Sequence, residues 1–149
     1  MSDNWLRYVP TDPEYQPTRH QAEKAKALLS ELLPRAEAIS SKFSDSPIFV
    51  DPGANFSGVL CPVCNAVADD WWGEAMSAAA ETNFTSLAVQ APCCGSSTSL
   101  NEMHYLWPAA FGRYVLEAVN PNENGLARDQ LAQLESMLGH SLREIRVHI

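Results

Sequence analysis

The chain has 149 residues, 46% of them apolar and 9% aromatic, enough for one packed domain and too apolar for a disordered chain. Eighteen acidic against ten basic side chains leave a net charge of -8, which argues against a surface built to hold nucleic-acid phosphates. Four cysteines are too few for a disulfide scaffold, and no apolar run reaches the roughly 18 residues of a membrane span.

Residues 1–17 carry Pro10, Pro13 and Pro17 beside Trp5, Tyr8 and Tyr15. They read as an extended arm pinned by its aromatics, ahead of a single domain over 18–149. Thr18 and Gln21 form a capping box, and Ala22, Ala25, Leu29, Leu32, Ala36, Ile39 and Phe43 recur at steps of three and four. The spacing predicts a helix over 18–43, kinked or broken at Pro34. Its stripe packs on the chain's own core or forms the seam of a homodimer. Pro47–Val50 and Phe56–Leu60 read as short strands.

Asp69 or Asp70 caps a helix of about ten residues with Trp71, Trp72, Ala75, Met76, Ala79 and Ala80 on a broad apolar face. Adjacent tryptophans point about 100° apart, so one is expected in the core and one near the surface. Phe84–Gln90 reads as a strand, while residues 98–106 are ambiguous between strand and loop. Pro108 suits the first position of a helix running to Val119. A further helix carries Ala127, Leu131, Leu134 and Leu138 and stops at Gly139. Residues 142–149 alternate as a half-buried strand. The sum is an α+β domain: a small, mainly antiparallel sheet with three to four helices.

The start of the chain shows no basic segment followed by an apolar run, so a cytoplasmic location is expected, where thiols stay reduced. The cysteines then read first as metal ligands or redox groups. Cys61-Pro62-Val63-Cys64 is a C-x-x-C loop directly after an apolar strand, and Cys93-Cys94-Gly95 supplies a second pair. Twenty-eight residues, 65 to 92, lie between them, enough for a helix inserted between two metal-binding loops.

On these residues the chain resembles a zinc-ribbon or zinc-knuckle module. The match covers Cys61–Cys64 and Ala91–Gly95, about a tenth of the chain. The usual second knuckle reads C-P-x-C-G; here Ala91 stands at the first cysteine's place and Cys93 occupies the variable position. The resemblance implies a closed, structural Zn2+ site on Cys61, Cys64, Cys93 and Cys94 that stabilises the domain. If Cys93 is not the fourth ligand, His104, Asp69 and Asp70 are the other candidates. Buried free thiols, a Cys61/Cys64 redox pair and a catalytic zinc with a bound water are the competing readings.

Elsewhere chemistry is sparse. The histidines at 20, 104, 140 and 148 do not pair at ligand spacing, and neither a nucleophile elbow nor a glycine-rich phosphate loop occurs. Asp69 and Asp70 fit helix-start capping better than acid–base catalysis. Trp71, Trp72, Tyr105 and Trp107 wall the core or form a partner surface. Arg113 binds an anion or pairs with an acid. The expectation is a non-catalytic, zinc-stabilised protein-binding domain of accessory or inhibitor type. Its partner is another protein, and the acidic field favours a basic one over nucleic acid or a membrane. The alternative is an enzyme, a zinc-dependent hydrolase or a C-x-x-C thiol oxidoreductase.

Overall fold

The computed structural model describes residues 3–149. Four strands form the main sheet: β1 (Asn4–Pro10), β2 (Ala38–Val50), β7 (Ala110–Val119) and β8 (Leu142–His148), in the order β2-β7-β1-β8 and antiparallel throughout. The helices α1 (Arg19–Leu32) and α3 (Arg128–Leu138) cover one face. Between β2 and β7 the chain leaves the sheet for residues 51–109. That insertion holds α2 (Asp69–Ala80) and four short strands: β3 (Val59–Leu60), β4 (Ala88–Gln90), β5 (Ser97–Ser99) and β6 (His104–Tyr105). β3 pairs with β6 and β4 with β5. The expected α+β class with a small antiparallel sheet is what the molecule adopts.

Three local expectations held for identifiable reasons. Gln21 N–H donates to Thr18 Oγ1 at 3.1 Å and Thr18 N–H to Gln21 Oε1 at 2.8 Å, so the capping box starts α1 as read. Gly139 closes α3 in the left-handed conformation, φ 80°, which spares a side chain the steric cost. β8 alternates as its sequence does, with Ile145 and Val147 buried on one face.

Other segments differ. The helix predicted over 18–43 ends at Leu32, and residues 38–43 are the first half of β2. Pro34 breaks the helix, and the serine-rich run after it favours extended backbone once β7 offers partners from Ala38↔Val119 to Phe43↔Tyr114. The predicted 47–50 strand is the second half of β2, beyond a register shift between Phe43 and Ile48. Ala22, Ala25 and Leu29 are buried in this chain's own core, so the stripe is not one continuous 18–43 seam.

The helix predicted over 108–119 is instead β7, a central strand. Its apolar residues recur at helical spacing only because both faces are apolar: Phe111, Tyr114, Val115, Leu116 and Ala118 are all buried. Gly112 permits this close layer, since a Cβ there would collide with the Val9 side chain. The predicted strands 56–60 and 84–90 shrink to β3 and β4, and the ambiguous 98–106 segment resolves into the end of β5, a 3-10 turn and β6. Residues 4–10 are extended as read from the prolines and aromatics, but they lie between β7 and β8 inside the sheet.

The insertion is bolted to the sheet through an aromatic seam and one buried amide. Phe49 and Phe111 stack at 4.9 Å, and Phe84 packs on Phe111 at 5.2 Å. Asn101, 3% exposed, donates from Nδ2 to Thr11 O at 3.0 Å and accepts Phe111 N–H at 2.9 Å. Arg143 on β8 donates to the carbonyls of Asn101 and Ala109, at 2.9 and 2.8 Å.

Candidate metal centre

Two tight turns carry the cysteines, and they are built alike. In the first, Cys61 N–H donates to Ala66 O and Asn65 N–H to Cys61 O, both at 2.9 Å. In the second, Ala91 N–H donates to Ser96 O at 2.8 Å and Gly95 N–H to Ala91 O at 2.7 Å. Cys61-Pro62-Val63-Cys64-Asn65 thus corresponds position by position to Ala91-Pro92-Cys93-Cys94-Gly95. Each turn closes on a left-handed residue, Asn65 at φ 64° and Gly95 at φ 73°, which asparagine and glycine adopt most readily. The first positions, Cys61 and Ala91, are fully buried.

β3 and β6 present the first turn; β4 and β5 present the second. The four sulfurs face each other across the gap, all within 4.8 Å of one another. Cys64 and Cys93 lie 3.4 Å apart and Cys61 and Cys94 3.9 Å apart, and all four are free thiols. A tetrahedral ion with sulfur at 2.3 Å requires sulfurs about 3.8 Å apart, so the cluster is near that spacing. The group can hold a metal ion. Cys93 is its fourth sulfur, standing where Val63 stands in the first turn and replacing a ligand that Ala91 cannot supply.

The electrostatics suit a cation. Amide hydrogen bonds from Cys64 and Val63 lower the Cys61 thiol to about 7. Cys93 is pushed up to about 12, first by its hydrogen bond with Cys64 and then by desolvation. Four crowded sulfurs repel one another as thiolates, and a divalent ion removes that repulsion.

The other candidate ligands stand outside. Among the described residues the converging group consists of the four cysteines, without His104, Asp69 or Asp70. His104 is exposed on β6, opposite Leu60. Asp69 Oδ1 accepts Val59 N–H at 3.2 Å, tying the start of α2 to β3, and neither aspartate side chain caps the helix, whose cap residue is Ala68. Their place in the first turn still suits the helix dipole.

Trp71 and Trp72 do not divide into one core and one surface residue: both are half-buried against the insertion core. Trp72 donates from Nε1 to Tyr105 Oη at 3.2 Å and packs on Phe56 at 5.4 Å. The helix has too shallow an apolar face to bury either ring fully. Arg113 lies on a strand and pairs with an acid, Glu14, at 3.8 Å. Comparisons with protein-family models, curated proteins and solved structures gave no match.

Proposed function

We propose that the cluster is a closed structural Zn2+ site and that the protein is a non-catalytic, zinc-stabilised protein-binding domain of accessory or inhibitor type. The observation that carries the metal half is the convergence of four sulfurs within 4.8 Å from two turns of the same construction. Thiolate-rich sites select zinc, and four protein ligands leave no open position for a substrate or water. Among the described residues neither histidine nor carboxylate belongs to the set, which sets it apart from the histidine- and carboxylate-bearing sites of hydrolytic zinc. Cys61 and Cys64 open a turn rather than a helix, so the lowered Cys61 thiol owes its shift to turn amides and lacks the helix N-terminus common at redox C-x-x-C pairs.

Support for protein binding comes from exposed apolar side chains. Val63, Val67, Leu106 and Trp107 are among the large apolar residues most exposed in the chain, and all lie in the insertion. Val63 lies within the first turn and Val67 just after it. With the -8 charge around it, such a surface fits a basic protein partner with apolar anchors.

Elemental analysis with X-ray absorption tests the reading. One zinc per chain with four sulfurs near 2.3 Å is the expected result. A metal-free or three-sulfur protein overturns the site. Substituting Val63→Asp and Leu106→Asp should then abolish co-purification of a partner from native lysate while zinc content stays unchanged.

A further inference from the structure

A cleft of about 600 Å³ opens where the ends of β1, β7 and β8 meet the insertion. Asparagine dominates it: Asn4, Asn55, Asn120, Asn122 and Asn124, five of the chain's eight, line this one place. The amides are held rather than loose. Asn120 donates from Nδ2 to Asp3 Oδ1 at 3.1 Å and Glu37 Oε2 at 2.7 Å, while its Oδ1 accepts Asn4 N–H at 3.0 Å. Asn120 and Asn122 both adopt left-handed backbone, φ 45° and 59°, which fixes the loop leading to α3. Asn4 Oδ1 accepts from His148 Nδ1 at 2.8 Å. An amide oxygen has no proton to give, so the ring donates from Nδ1 in this bond.

Most charges in the cleft are paired. Glu123 pairs with Arg35 at 2.9 Å and Arg146 with Glu144 at 3.5 Å, while Asp3 accepts the neutral Asn120 amide and keeps its charge, a single carboxylate that is too little to hold a cation. Arg146 is the one strong base in the lining, too little for a phosphate group. An apolar ligand would strip water from the amides and leave them unsatisfied. Asn124 makes no side-chain hydrogen bond among the described residues, and Trp107, 39% exposed, borders the cleft.

Fixed donors and acceptors, balanced charge and an exposed aromatic plane suit a ligand whose groups both give and accept. A pyranose has hydroxyls of that kind around its rim and a C–H face that stacks on indole. We propose that this cleft binds a neutral saccharide, stacked on Trp107 and hydrogen-bonded through Asn124, Arg146 and His148. The volume accepts a short oligosaccharide, whether free or attached to a larger molecule.

The test is a titration with four disaccharides, maltose, cellobiose, lactose and N,N′-diacetylchitobiose, up to about 10 mM, a range that registers millimolar affinity. Saturation-transfer NMR and the indole N–H signals of the tryptophans report binding. At least one sugar should saturate and shift the Trp107 signal. Trp107→Ala should weaken that binding at least tenfold with zinc content and amide spectrum otherwise retained, and Asn124→Ala should weaken it about threefold. Failure of all four sugars to saturate overturns the proposal. So does wild-type affinity in either variant; Asn124, on an exposed loop, keeps the test valid should Trp107→Ala misfold.

Discussion

The helix-covered sheet and the 51–109 insertion are held together by different means. In the first, Tyr8, Tyr114, Leu29, Leu116, Leu134 and Leu138 are fully buried between α1, α3 and the sheet. That region is a conventional two-layer core and requires no further support. The insertion has strands of two and three residues, and α2 buries completely only Ala79. Hairpins that short are not stable alone, so the insertion depends on the Phe49–Phe111 seam, the Asn101 amide and the cluster of sulfurs. Burial suffices where the chain supplies large side chains in register; where it supplies turns, four sulfurs able to hold an ion converge instead.

The largest expected effect tests this contrast directly. Cys61→Ser should abolish stoichiometric metal binding and remove amide-exchange protection across 51–109, while β1 and β7 keep theirs. Equal loss in both regions would show that they are one cooperative unit. Leu29→Ala should cost about 3 kcal/mol by denaturant unfolding and leave zinc content unchanged, since it opens a cavity in the helical core alone. Asn101→Ala strands Thr11 O and Phe111 N–H at the joint and should cost about 2 kcal/mol, with exchange rising first in the insertion.

The smallest effect concerns alkaline pH. Burial raises the Tyr8 phenol, reinforced by the Glu144 charge; burial also raises Tyr114 and pushes Tyr105 up to about 12. All three ordinarily ionise near 10, so the fold favours the neutral phenol. Their contribution is complete below pH 10 and declines as pH rises above it, because the unfolded chain loses its protons first. Tyr8→Phe should lower stability at neutral pH by breaking the bond to Glu144, yet flatten the alkaline decline in denaturant midpoints measured across pH.

What the sequence revealed follows from how local each signal is. The Thr18 capping box, the Gly139 stop, the α2 and α3 stripes and the alternation of β8 are set by neighbours within one or two turns, and all were legible. β2 and β7 were not. Ile39, Phe43, Val115 and Ala118 lie at helical spacing, and only the pairing of the two strands with each other, some 70 residues apart, selects the extended form. At the candidate centre both pairs of cysteines were visible, as was the odd place of Cys93. The place of Ala91 at the first cysteine's position was legible too; the matching backbone hydrogen bonds of the two turns were not. The amide-lined cleft was invisible because its asparagines come from three separate segments.

The two cysteine turns have one further consequence. The first presents its sulfurs from positions one and four, the second from positions three and four, and of these only position one is buried. Cys61 is therefore the sole buried member of the set, while Cys64, Cys93 and Cys94 are exposed. An ion held there sits like a rivet head at the surface rather than a pin through the core. It joins two loops from outside, within reach of any small molecule that competes for sulfur-bound metal.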